Sequence, residues 1–111
     1  MKILIDHNVH QGVFYILQEF GYSAETAKYN HLEMLSNGKL SAEAFKLGFR
    51  CILTQDKTFS LDAKRVLETL PQISIILILP EYLPQKPRES YLQRFRDLIT
   101  DIPHPKNSKI I

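Results

Sequence analysis

Apolar residues along this chain come in two rhythms. Ile3 to Ile5, Arg50 to Thr54 (RCILT) and Ile73 to Leu79 (ISIILIL) are short, nearly continuous apolar runs, the pattern of strands buried on both faces of a parallel sheet. Between them apolar positions recur with helical spacing. Val13, Leu17 and Phe20 stand at i, i+4 and i+7 within Val9 to Phe20; Leu40, Ala44 and Leu47 mark one face of Lys39 to Leu47; Leu61, Lys64/Arg65 and Glu68 mark the alternating faces of Ser60 to Leu70; Leu92, Phe95 and Leu98/Ile99 point inward from Arg88 to Ile99.

Punctuation agrees with these periods. Gly21 and Gly48 close the first two helices and Pro71 stops the third. Tyr22 to Ala27 reads as another strand, and Tyr29 to Ser36 as a connection leading to Asn37-Gly38. The three prolines of Pro80 to Pro87 make that segment a loop. Strands alternating with helices predict an α/β domain over residues 1–100, with a central, mainly parallel β-sheet, right-handed crossovers and helices on both faces. Residues 101–111 have the composition of a C-terminal tail.

Bulk properties narrow the setting. With 111 residues, 44% hydrophobic and 23% charged, the chain is sized for one core. Its one cysteine, Cys51, lies in an apolar run, so no intrachain disulfide is available and a reducing cytoplasm is expected. No apolar run approaches the roughly 20 residues that span a bilayer. Net charge is +2, but from Gln85 onward six Lys/Arg face three acids, leaving −1 on the first 84 residues. That asymmetry is too mild to establish nucleic-acid binding. It does mark the C-terminal helix as the basic part of the chain.

Candidate chemistry sits where strands end. In a parallel sheet, ligands bind beyond the carboxyl ends of the strands, and Asp6 follows the first strand while Asp56 follows RCILT. Two carboxylates held at one edge repel unless a cation or a proton lies between them. Mg²⁺ or Mn²⁺ suits them, being hard ions that take oxygen ligands and leave positions for water and phosphate. Either acid is also suited to capping the helix after it, as is Asn8. Thr54 and Lys57 flank Asp56 as a hydrogen-bond donor and a phosphate contact, Asn37-Gly38 is a helix start, and Glu43 lies one turn beyond Lys39 as a possible third carboxylate. His7 and His10 stand three apart, within reach of a shared transition metal or simply on the surface.

Taken together, MKILIDHNV, a helix ending in glycine, SNGKLSAEAFKLGF and ILTQDKTF resemble a group of small bacterial PIN-like proteins, predicted nucleases described as toxin components of toxin–antitoxin pairs. The resemblance covers about residues 1–79. It implies a three-layer sandwich and an acidic cluster that binds Mg²⁺ or Mn²⁺ to hydrolyse RNA in the cytoplasm, with a small antitoxin protein as partner. On this sequence Asp6 and Asp56 match the metal-holding acids, and Asn8, Asn37 and Thr54 match polar positions beside them. Two departures stand out: His7 and Lys39 occupy places where such proteins commonly carry Glu. A lysine near the site competes with the metal, and Glu43 on the same helical face is the expected substitute.

Three readings follow. The first is a metal-dependent endoribonuclease using Asp6, Asp56 and Glu43, with Asn8, Asn37, Thr54 and Lys57 toward substrate. The second is the same fold with a degenerate site that binds RNA or a protein partner without cleavage. The third, a phosphoacceptor domain with Asp56 as acceptor and the Lys86-Pro87 pair nearby, lacks the second acid such domains carry after their first strand. A homodimer is expected if the C-terminal helix exposes an apolar patch.

Overall fold

A computed structural model describes residues 2–70, 72–79, 83, 88–99 and 109–110, with backbone alone at 60, 61, 63, 64, 67, 109 and 110. The order of elements is β1 (Lys2–Ile5), α1 (Gly12–Glu19), β2 (Ser23–Thr26), α2 (Asn37–Lys46), β3 (Cys51–Thr54), α3 (Phe59–Thr69), β4 (Ser74–Leu77), α4 (Arg88–Ile99) and β5 (Lys109–Ile110). The strands form one sheet in the order β2-β1-β3-β4-β5, and every neighbouring pair is parallel. The expected mainly parallel sheet is thus wholly parallel among the described residues.

Period-two alternation divides the core into two layers. Ile3, Ile5, Cys51, Leu53, Ile76 and Ile78 face one side, where Val13, Ile16 and Leu17 of α1 and Tyr91, Phe95 and Ile99 of α4 cover them. Leu4, Ile52, Ile73 and Ile75 face the other, against Leu40 and Ala44 of α2 and Phe59 and Val66 of α3. The result is a three-layer α/β/α sandwich. Each fully buried aliphatic side chain contributes about 1.5–3 kcal/mol of transfer free energy, so the central strands hold the fold.

Both predicted glycine stops are realised in one geometry. Gly21 (φ +86°) and Gly48 (φ +93°) take the left-handed conformation. At the first, Gly21 N–H bonds Gln18 O and Tyr22 N–H bonds Leu17 O; at the second, Gly48 N–H bonds Phe45 O and Phe49 N–H bonds Ala44 O. These are Schellman closures, each with an apolar residue packed back on its helix. They also explain two departures from the expected stripes. Phe20 and Leu47 fall at the caps, where the chain leaves the helical path, and are 47% and 48% exposed.

Other boundaries moved. Strands β3 and β4 are shorter than the runs that predicted them, α2 begins earlier, at Asn37, and α1 begins at Gly12 rather than Val9 because residues 7–9 form a turn closed by Val9 N–H to Asp6 O, 3.1 Å. Within the expected tail, Lys109–Ile110 returns as a strand beside Ile76–Leu77. The rest of that tail, the Pro80–Pro87 loop apart from buried Leu83, and the Lys86-Pro87 pair lie outside the described residues.

The crossovers are not uniform either. The β1–α1–β2 connection steps one way and the next two step the other, with helices on correspondingly opposite faces, so these three share one hand. The β4–α4–β5 connection steps like its predecessor but carries its helix on the opposite face, and therefore has the opposite hand. β5 has only two residues, too little length for strand twist to impose the usual sense.

The apolar positions of α4 are buried or half-buried against α1 and the sheet, and its exposed residues are polar or charged, so the described part of this helix offers no apolar patch for a homodimer. Among the described residues no helix is long and apolar enough to cross a membrane.

Candidate functional site

The sheet reverses its direction of growth between β1 and β3, and in doubly wound sheets the crevice beyond the carboxyl ends at such a point is where ligands bind. Asp6 and Asp56 both lie there. Asp6 N–H continues the ladder to Leu53 O, 2.9 Å, which carries the residue just past the end of β1.

The Asp6 side chain is only 4% exposed and is held from three directions. Its Oδ1 accepts the His7 N–H at 2.8 Å and lies 3.1 Å from His7 Nδ1, while Oδ2 accepts the Thr54 hydroxyl at 2.8 Å. Thr54 is fully buried. With its single proton given to Asp6, Thr54 Oγ1 accepts from Asp56 N–H (3.1 Å) and from Asn8 Nδ2 (3.3 Å). Asn8 Oδ1 in turn accepts Gln55 N–H at 2.9 Å. One hydroxyl therefore joins the first acid to the backbone of the second, and Asn8 ties the β1–α1 turn to the end of β3. The capping roles open to Asp6 and Asn8 are not what these side chains do.

Asp56 does take the turn role. Its Oδ1 accepts both Thr58 N–H (2.9 Å) and Thr58 Oγ1 (2.7 Å), starting α3. The same hydroxyl continues the network: Asn37 Nδ2 lies 3.5 Å from Thr58 Oγ1 and donates to Asp62 Oδ2 at 2.9 Å. Asn37 is the first residue of α2 and Ser36 stands at the cap position. Asp62, which sequence reading passed over, lies in the first turn of α3. Its position six residues past Asp56, on a helix facing Asn37, is a signal visible only once α2 and α3 are known to pack together.

Glu43 does not join these groups; its Oε1 is 3.1 Å from Lys46 Nζ on its own helix. Lys57 and Lys39 are exposed. His7 and His10 do not converge, since His10 Nδ1 accepts Gly12 N–H at 2.9 Å and its ring packs on Tyr91, 5.4 Å between centroids. Cys51 is a core residue, its thiol pushed up to about 12 by burial. Arg96 of the basic helix is committed to Glu19, 2.6 Å.

Two residues missed in the sequence complete the wall of the site. Gln55 is buried, and its Oε1 accepts the Tyr91 hydroxyl at 2.7 Å. That hydroxyl accepts His10 N–H at 3.1 Å. Burial raises the Tyr91 phenol above its ordinary value, with the His10 N–H pulling the other way, so the group stays a donor. The available clue was alternation: Gln55 shares the parity of Cys51 and Leu53, which face α4.

No group of three or more His, Cys, Asp or Glu side chains suited to a metal converges among the described residues. The donors present, Asp6 and Asp56 with neutral Thr and Asn oxygens, are all hard, and one or two carboxylates suffice for Mg²⁺ when waters and substrate phosphates fill the remaining positions. The set fits such an ion at its minimum. A cavity of about 720 Å³ lies elsewhere, between α1 and the edge strand β2, lined by Phe14, Tyr15 and Tyr29 among others. A cleft of about 380 Å³ between α2 and α3 takes in Asn37, Asp62 and Arg65.

No family model, no curated protein and no solved structure matches the chain.

Proposed function

We propose that the chain is a PIN-like, metal-dependent ribonuclease whose Asp6 and Asp56 hold Mg²⁺ or Mn²⁺ at the switch point between β1 and β3. The observation that carries this reading is the Thr54 hydroxyl, which bridges Asp6 Oδ2 and Asp56 N–H and ties together two acids 50 positions apart in the chain. When bound, such an ion neutralises charge on a phosphodiester and activates a water. The protein's own part is to orient. Thr54 fixes the Asp6 carboxylate, Asn8 fixes the β1–α1 turn over the end of β3, and Asn37 reaches Asp56 through Thr58. Exposed Lys57, next to Asp56, supports a contact to the RNA backbone. A role as the toxin of a toxin–antitoxin pair, working in the cytoplasm with a small antitoxin partner, rests on the sequence resemblance.

The test combines Mn²⁺-dependent thermal shift with cleavage of single-stranded RNA. Wild type is expected to gain melting temperature with Mn²⁺, because a ligand that binds only the native state stabilises it by mass action, and to cleave. Asp6→Asn and Asp56→Asn are expected to lose both responses. Cleavage that survives Asp6→Asn overturns the reading.

One observation favours a second reading, binding without turnover. Glu43 is paired on its own helix, and no third acid converges with Asp6 and Asp56 on a metal position among the described residues. RNA binding with no cleavage at saturating Mn²⁺ would decide for it.

A further inference from the structure

Gln55 presents an unusual imbalance. Its side chain is 6% exposed, its Oε1 is satisfied by Tyr91, and its Nε2 has no hydrogen-bond partner among the described residues. An unpaired buried N–H group is costly to a fold, and native structures retain few of them. The orientation of this amide is set by its neighbours. His10 N–H can only donate, so the Tyr91 hydroxyl accepts from it and gives its own single proton to Gln55 Oε1. Tyr91 thereby occupies the carbonyl end of the amide and leaves its NH₂ end over, in a residue whose chain neighbours Thr54 and Asp56 belong to the acid network. Asn8 Oδ1 holds the same residue's backbone N–H, so Gln55 is fixed at both ends while its donor is left over.

A phosphodiester oxygen is an acceptor only, which makes it the complement of such a donor. We propose that Gln55 Nε2 binds a phosphate oxygen of single-stranded RNA beside the two acids, and that Tyr91 is a positioning residue that orients the amide for it. The inference rests on the ribonuclease reading and adds to it the group that holds the substrate independently of the metal. Nε2 is closed off from solvent, so seating the oxygen requires the wall around it to open.

The experiment uses the full chain, a fluorescein-labelled single-stranded RNA of mixed sequence, and Ca²⁺ in place of Mn²⁺ during anisotropy titrations, with Mn²⁺ thermal shift measured in parallel without RNA. Gln55→Met removes the donor without adding charge. It is expected to weaken RNA binding about tenfold or more while leaving the Mn²⁺ response intact. Tyr91→Phe keeps the ring and loses the hydroxyl, and is expected to weaken binding about threefold in wild type but not further in the Gln55→Met background, a coupling that a purely structural role would not produce. Should Gln55→Met fail to fold, Gln55→Leu serves as the uncharged donor-free variant. RNA affinity equal to wild type in the donor-free variant overturns this proposal alone. Additive losses remove the role of Tyr91. Failure of wild type to bind RNA overturns both this proposal and the reading beneath it.

Discussion

The two ends of the sheet treat charge differently. At the amino end, half-buried cations rest on aromatic faces. Arg50 stacks on Phe45 (4.0 Å) and donates to the carbonyls of Phe45 and Phe49, while Lys2 sits over Phe49 (4.3 Å) and pairs with Glu25 on the neighbouring strand (3.3 Å). At the carboxyl end, directional hydrogen bonds interlock around a buried acid: Thr54 to Asp6 spans 48 positions, Gln55 to Asn8 spans 47 and His10 to Tyr91 spans 81. Stability alone does not call for so many distant polar partners around a buried acid. An end built this way has its geometry specified, and the amino end has only its charges quieted.

That contrast can be broken by mutation. The largest effect is expected from Thr54→Val, which leaves a buried Asp6 oxygen without its donor and should lower stability by about 3 kcal/mol in urea melts, with loss of the Mn²⁺-induced thermal shift. A loss below about 1 kcal/mol would make the carboxyl end no more demanding than the other. Arg50→Ala removes a stacked cation and two hydrogen bonds and should cost about 1–2 kcal/mol by the same melts, with Mn²⁺ and RNA responses untouched.

Asp56→Asn sharpens the contrast further. Asparagine keeps the acceptor that starts α3, so stability should change by a few tenths of a kcal/mol, yet the charge that holds the ion is gone and the Mn²⁺ shift should vanish. Smallest of all is Glu19→Gln, at a surface pair. The Arg96 hydrogen bond lowers the Glu19 carboxyl, so any stabilisation is present above the ordinary carboxylate range and fades as pH falls through the lowered value. At neutral pH in physiological salt the melting temperature of this variant should match wild type.

Much of this architecture could be read from spacing. The buried runs at Ile3–Ile5 and Cys51–Leu53, the glycine closures and the Val13 and Leu17 stripe of α1 each follow from a local period, and local periods survive into the fold. What could not be read depends on distance. The helical period alone places the start of α1 too early, at Val9, because Asn8 is recruited by Gln55, far along the chain. Tyr91 stood outside the inward set expected for α4 because helical spacing favoured its neighbour Leu92; its hydroxyl is explained only by Gln55 and His10. Asp6 and Asp56 were legible as strand-end acids, but not that the first would be nearly sealed and the second half-exposed.

The reach of Tyr91 also imposes an order in time. A ribosome releases residues 6–10 and 54–58 well before residue 91, and a domain folds as a unit. Until α4 emerges, His10 and Gln55 have no hydroxyl between them, and the wall of the site lacks its last brace. However early its acids are made, the wall of the site is completed only when α4 has docked.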